Sequence, residues 1–277
     1  MDEQNFEETF LKDGYAVVKN CIDKKILDEA KEIMSEALSK KLGKKVNYNE
    51  GFLEAIAKER QFEVQESLYR DLAYHNLGLK VLTQKNVLNK FVTLLGPDLC
   101  YTEYPGFPIN VKSVKDDYLV KKWHQEYWSG CGVHTVNFWF PVSIEEGMGG
   151  LELIPGSHEW GHIPHRNREP VEIPDCAQYV IPKVMEGDAV FMHTFTLHRT
   201  VLNQHKYPRF AISYFVKNFY HTDSGIPQFQ IWVPFNYSAL AKIHKKLGNP
   251  EFSPFRTLNS ARKENLMHSY LLATDKK

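Results

Sequence analysis

The sequence predicts a mainly β protein, an antiparallel sandwich or jelly roll with flanking helices, and three observations carry that expectation. From about Leu99 onward, short runs rich in β-branched and aromatic residues alternate with Gly, Pro and Asp turns, the texture of many short strands. Before Leu99, apolar residues recur at three- and four-residue spacing, the period of helices with one buried face. No β–α–β alternation runs through the chain, which argues against a Rossmann-like parallel sheet.

The elements follow in order. Tyr15-Ala-Val-Val18 reads as a short buried strand. Asp23 is the expected N-cap of a helix whose apolar residues Ile26, Leu27, Ala30, Ile33, Met34, Ala37, Leu38 and Leu42 keep helical spacing until Gly43. Helical patterns resume at Gly51–Tyr74 and Val81–Leu95, where Gly96-Pro97 ends them. The Lys40–Lys45 run between them reads as a solvated helix end. Strands are expected at Pro108–Val114, Gly132–Val142, Gly150–Ile154, Gln178–Val184, Asp188–His193, Arg209–Val216 and Gln228–Val233, with helices again at Tyr237–Leu247 and Leu258–Leu272. No repeat or linker divides the chain. The expectation is one domain over 1–277: a helical flank with one strand (1–98), a β core (99–235) and C-terminal helices (236–277).

Bulk composition is that of a globular chain, 43% hydrophobic and 25% charged. Thirty-four basic residues balance thirty-four acidic ones, so no net field draws the protein to nucleic acid or an anionic membrane. The opening Met1-Asp-Glu-Gln has neither a basic nor an apolar leader stretch, and no apolar run approaches the ~20 residues of a spanning helix. A cytoplasmic location follows as the expectation. Cys21, Cys100, Cys131 and Cys176 are widely spaced and read as small buried hydrophobes rather than a disulfide set or zinc site.

Two His-x-acid triplets occur, His124-Gln-Glu126 and His221-Thr-Asp223. On a strand, residues i and i+2 share a face, so either triplet can offer an imidazole and a carboxylate to one metal. A facial iron site needs a second histidine and leaves positions open for a chelating 2-oxo acid and oxygen. The acid's far carboxylate needs a cation, for which arginine offers a bidentate fork. Downstream of Glu126, the run Gly187-Asp188 to His198 is followed eleven residues later by Arg209, which opens the apolar strand Arg-Phe-Ala-Ile-Ser213. With Ala211 and Ser213 on its face, Arg209 points inward. No histidine followed by a strand-borne arginine remains downstream of His221. His193 is the rival to His198, but it lies inside its strand and reads as a hydrogen-bonded core histidine. His158 reads as a turn residue tying down backbone, and the loop His162–Arg168 as solvated or as a docking surface for an anionic substrate. Asn137, in an otherwise apolar strand, must find a hydrogen bond: either a co-substrate or substrate contact, or a core partner. Trp128, Trp139 and Trp232 read either as pocket lining or, more commonly for aromatics in a jelly roll, as packing.

Across most of its length the chain resembles the phytanoyl-CoA dioxygenase family of Fe(II)/2-oxoglutarate-dependent oxygenases. The resemblance rests on Phe10-Leu-Lys-Asp-Gly-Tyr-Ala-Val-Val-Lys19, Trp123-His124-Gln125-Glu126, Gly150-Leu-Glu-Leu-Ile-Pro-Gly-Ser-His158, and the Gly187–His198 stretch with Arg209. It implies a double-stranded β-helix (jelly-roll, cupin-like) core. It also implies Fe(II) on His124, Glu126 and His198, 2-oxoglutarate on Arg209 with Asn137 and Ser213 beside it, and O2 and a small-molecule substrate as the other reactants. The implied reaction couples decarboxylation of 2-oxoglutarate to succinate with hydroxylation of that substrate. The family's usual carboxylate is Asp, and Glu126 departs from it by one methylene. Halogenating relatives carry Ala or Gly there, so a carboxylate points to oxidation. Two alternatives stand beside this reading, a catalytically silent binding protein and a cupin-like metal-dependent hydrolase or isomerase. Substrate specificity is expected in Asn47–Tyr74, Lys112–Lys122, Gly161–Asp175 and His221–Gln228.

Overall fold

A computed structural model describes residues 3–102, 106–112, 119–221 and 232–247. The expected helix at Leu258–Leu272, Asp223, and parts of the expected strands at 113–114 and 228–231 lie outside these residues. The chain opens with α1 (Glu3–Asp13), which the sequence reading did not anticipate, and β1 (Tyr15–Val18). α2 (Lys24–Leu42) starts and stops as its sequence dictates. The Asp23 side chain accepts a hydrogen bond from Lys25 N, and Gly43 closes the helix at φ 69°.

The two helical stretches that follow each split in two: α3 (Tyr48–Lys58) and α4 (Gln61–Tyr74), then α5 (Leu77–Leu82) and α6 (Lys85–Leu95). Neither break has a Gly or Pro. Glu59 and Arg60 turn extended between α3 and α4, while the apolar residues on both sides still face one core. Periodicity alone therefore could not register the break.

The strands are β2 (Leu99–Thr102), β3 (Ile109–Asn110), β4 (Thr135–Ser143), β5 (Leu151–Leu153), β6 (His165–Arg166), β7 (Glu169–Pro170), β8 (Ala189–His193), β9 (His198–Thr200), β10 (Arg209–Asn218) and β11 (Trp232–Asn236), and α7 (Ala239–Lys246) follows. The main sheet is antiparallel, in the order β1-β8-β4-β10-β2-β11, with β3 also on β10. A second small sheet pairs β5 with β9. The expected strand at Gln178–Val184 is reduced to one bridge, Leu153 to Val180, at the edge of that small sheet. Its apolar Tyr179 and Ile181 point to solvent.

Alternation divides the main sheet into two buried faces. Val136, Phe138, Phe140, Phe191, Phe210, Ile212, Tyr214 and Val216 pack against the helices. Edge-on aromatic contacts join them to α1, α3 and α6: Phe6–Phe191 at 5.2 Å, Phe52–Phe210 at 5.4 Å and Phe91–Phe138 at 5.2 Å between centroids. Trp139, Val190, Met192 and Ala211 face the other way and pack on Leu151 and Leu153 of the small sheet. The candidate site lies on this second, inner face. Cys21, Cys100 and Cys131 are buried as expected, but Cys176 is exposed. No helix among the described residues is long and apolar enough to cross a membrane.

Candidate metal centre

His124 and His198 meet because their backbones pair. His124 N donates to His198 O at 3.0 Å and His198 N donates back at 3.1 Å, which brings the rings to 4.2 Å. Each ring is oriented in the same way. His124 Nδ1 lies 2.6 Å from Lys122 O, and His198 Nδ1 lies 2.9 Å from Thr196 O. A carbonyl only accepts, so Nδ1 carries the proton in both rings and both Nε2 lone pairs are free.

Glu126 reaches these nitrogens differently from the expectation. It opens a 3-10 turn, Glu126–Ser129, instead of continuing a strand, so it joins His124 by a turn of the chain and not by alternation. Its Oε1 stands 3.5 Å from Nε2 of each histidine. The three ligand atoms all lie within 4.8 Å of one another. Bonds of about 2.0–2.2 Å set neighbouring donors roughly 3–3.5 Å apart, so the spacing fits one ion. Two imidazoles and one carboxylate are the donor set of non-haem Fe(II).

Electrostatics agree with the geometry. Burial would raise the Glu126 pKa, but the two imidazoles against it, through hydrogen bonding and charge whenever they carry an Nε2 proton, overcome it and hold the carboxyl well below its usual range. Burial, then the nearby His198, pushes the His124 pKa down. A negative carboxylate beside a neutral imidazole is the form that binds a cation. Glu126 Oε1 also accepts a hydrogen bond from Asn137 Nδ2 at 3.1 Å, and Asn137 Oδ1 accepts one from the Ser213 hydroxyl. The contacts of these two residues therefore lead to Glu126.

Arg209 is 1% exposed. It opens β10 opposite Asn110 of β3, and its guanidinium lies 5.3 Å from the Trp139 ring centroid. Its Nε has no partner among the described residues. Among the described residues Nη1 reaches only the carbonyls of Gly150 and Gly149, at 3.4 and 3.5 Å. Burial lowers its pKa to about 10, which leaves it charged at neutral pH. A buried cation so sparsely met calls for an anion.

His193 stands apart from His124, Glu126 and His198. Its Nδ1 accepts from Phe195 N at 3.1 Å, and the ring packs near Phe10 and His158. His158 lies 3.0 Å from Leu11 O through Nε2, the backbone tie expected of it. Its neighbour Ser157 donates to Ile154 O at 2.6 Å and accepts from Leu197 N at 2.8 Å, fixing the chain just before His198. Gly14 completes this brace. Its carbonyl accepts from His193 N and Thr196 Oγ1. With φ at +74°, an added Cβ would meet His158 Nδ1 at 2.5 Å, so only glycine suits the place. His221 stacks on His134 at 4.2 Å. Trp139 is buried, Trp128 stacks on His165, and Trp232 lies under Lys217.

Sequence reasoning missed Gln125, the middle residue of the triplet. Its side chain is 1% exposed. It donates to Gly161 O at 2.8 Å and Phe195 O at 2.7 Å, and accepts from Ile163 N at 3.0 Å. Gln125 thus points away from its two neighbours and staples the motif to the loop beyond Trp160. Its position between His124 and Glu126 was the only signal in the sequence.

Many solved structures are similar to the chain, the following three among them. An apo form of the non-heme monooxygenase ThoJ matches with a TM-score of 0.59 at 18% identity, over 84% of each chain. A ThoJ–Ni complex matches at 0.53 and 16%, over 83% of each. The epimerase SnoN in complex with Fe3+, alpha ketoglutarate and nogalamycin RO matches at 0.51 and 14%, over 85% of this chain and 96% of that one. At these identities the likeness is one of fold. No curated protein sequence matches the chain. The family model for phytanoyl-CoA dioxygenase matches residues 10–211, a span that takes in every element described here from β1 to the start of β10. The chain belongs to the phytanoyl-CoA dioxygenase family of Fe(II)/2-oxoglutarate-dependent enzymes.

Proposed function

We propose that the protein is a hydroxylase of a small molecule, with Fe(II) held by His124, Glu126 and His198 and the distal carboxylate of 2-oxoglutarate held by Arg209. The observation that carries this reading is the convergence of two freed Nε2 atoms and one charged carboxylate oxygen on a single point. The two-layered β region, with the candidate site on the face between its sheets, supports reading residues 99–235 as a double-stranded β-helix core. When bound, iron with 2-oxoglutarate and O2 supplies oxidation of a substrate C–H bond, with release of succinate and carbon dioxide. The protein's residues do the rest. Backbone carbonyls hold both Nδ1 protons, so both rings stay aimed with Nε2 toward the same point. Arg209 receives an anion in a water-poor setting, where a charge-assisted fork is strongest. Trp139, Met192 and Leu153 line the apolar inner face and limit water.

The test loads anaerobic protein with Fe(II) and 2-oxoglutarate, records the visible charge-transfer band, then admits oxygen. The band and succinate release are the expected results. Absence of bound metal would leave the silent binding protein, and bound metal without succinate would leave a hydrolase or isomerase. With a substrate in hand, the product gains one oxygen. A product of unchanged mass with one inverted centre would replace hydroxylation by epimerisation.

A further inference from the structure

We infer that Asn137, held by Ser213, is a positioning residue that fixes the Glu126 carboxylate for metal binding, and that this pair is matched to the length of glutamate. The inference rests on the proposed iron site.

Asn137 lies on β4 opposite Phe215 of β10, and Ser213 lies opposite Trp139. The two are therefore diagonal neighbours on the inner face, within reach of each other's side chains. Both are buried, at 1% and 8% exposure. The ionised Glu126 carboxylate can only accept, which settles the orientation of the amide and leaves Asn137 Oδ1 to accept from the Ser213 hydroxyl. The NH2 end faces the other way and donates to Glu126 Oε1 at 3.1 Å. That oxygen is the same one that stands 3.5 Å from both Nε2 atoms.

Glu126 needs such a partner more than a strand-borne aspartate would. It leaves the backbone at the first residue of a 3-10 turn, and its side chain carries one more rotatable bond than aspartate. Without Asn137 the carboxylate is free to swing toward other donors. The charge-assisted bond from a fixed amide holds one oxygen forward as a single ligand. An aspartate at 126 would set its carboxylate back by about one C–C bond, ~1.5 Å. That is too far for the Asn137 amide to reach without movement of the turn.

The experiment measures anaerobic Fe(II) affinity by chelator competition on the full chain, with thermal midpoints alongside. The variants are Asn137→Ala, Ser213→Ala and their double, each with Glu126 and with Glu126→Asp. Asn137→Ala should weaken Fe(II) binding by about 10- to 100-fold, the range for partners behind a metal ligand. Ser213→Ala should weaken it less, and the double variant no more than Asn137→Ala alone. In the Glu126→Asp background, Asn137→Ala should change affinity by less than about threefold, because the contact is already lost. A loss of general stability would act equally in both backgrounds and overturns the inference. The Co(II)-loaded protein gives a second readout: its visible bands should shift in Asn137→Ala, and identical bands count against the role. Wild-type protein that takes up no Fe(II) sinks the iron reading itself. Wild type that binds with Asn137→Ala binding equally well sinks only this inference.

Discussion

The inner face of β10 has two polar ends that are built in opposite ways. At one end, Ser213, Asn137, Glu126 and the two histidines form a chain in which every step is met inside the protein. At the other, Arg209 is more deeply buried, yet among the described residues its Nε has no partner and its Nη1 has only two long contacts. Both ends bear the cost of desolvating charge. One is balanced by its own residues and shaped to accept a cation. The other is left unbalanced and shaped for an anion. A chelating 2-oxo acid, with one end on a metal and a far carboxylate, suits that pairing of opposites.

The largest expected effect would break the first end. His198→Ala removes one of the three proposed ligands and should lower Fe(II) affinity by more than about 100-fold, beyond what a partner behind a ligand costs. His193→Ala should keep the metal, since its ring nitrogen is engaged with Phe195 N. Metal analysis of protein purified without oxygen distinguishes them. Loss of iron in His193→Ala with retention in His198→Ala would reverse the assignment.

Arg209→Leu tests the other end, and its two effects have opposite signs. Breaking a buried charge pair on one side costs about 3–5 kcal/mol. 2-Oxoglutarate affinity should therefore fall roughly 10²- to 10⁴-fold while Fe(II) still binds. Without ligand, the same change removes a sparsely met buried charge, so stability should hold or rise, by up to about 4 kcal/mol. Calorimetric titration and thermal scans of the ligand-free protein read the two halves. A ligand-free protein that is strongly destabilised would mean that Arg209 is balanced from within. Unchanged 2-oxoglutarate affinity would redirect the search to Lys112, Lys183 or Arg199, which lie exposed.

The two ends were not equally legible in the sequence. The meeting of His124, Glu126 and His198 and the burial of Arg209 could be expected because their chemistry is rare and their spacing fits one demand. Asn137 could be read as a polar residue that must have a partner, but its partner could not. That partner sits on a 3-10 turn whose approach depends on how the motif is stapled by Gln125 to residues 36 to 70 positions away. β9 was missed because His-Arg-Thr carries no apolar alternation. The run at Gln178–Val184 carries apolar residues but has no neighbour beyond β5 to extend the pairing. Pattern reports which side chains prefer burial, and the competition among partners decides which of them obtain it.

His193 offers a third measurement, on an imidazole outside both ends. Burial, with the nearby His158, lowers its pKa from 6.5 to about 4, and its Nδ1 is committed as an acceptor. The folded state therefore resists a proton that the unfolded chain accepts. The sign follows: this stability is present above pH 6.5 and is lost as pH falls toward about 4. The full swing is about 3 kcal/mol at 1.36 kcal/mol per pKa unit. Denaturant titrations of the metal-free protein between those limits should show the loss, and His193→Phe should flatten it. An equal slope in the variant would assign the acid sensitivity elsewhere.

The smallest effect sharpens the comparison most finely, because the inner face holds an uncharged orphan as well. Thr135 is 1% exposed and its hydroxyl has no partner among the described residues. It lies on the Asn137 side of β4, opposite Lys217 near the end of β10. If every unmet polar atom on this face awaits a ligand, Thr135 should behave as Arg209 does. A neutral hydroxyl and a guanidinium differ, however, in what their burial demands. A buried hydroxyl without a partner costs about 1–3 kcal/mol, which a protein can carry, whereas a buried charge requires an answer. Thr135→Val keeps the shape and removes the unmet group, so ligand-free stability should rise by about 1 kcal/mol, roughly 2–4 °C in Tm. Affinities for Fe(II) and 2-oxoglutarate should not change. If the variant instead gains no stability and loses 2-oxoglutarate affinity or substrate turnover, the hydroxyl belongs with the ligands, and the unbalanced region extends from Arg209 along the whole inner face.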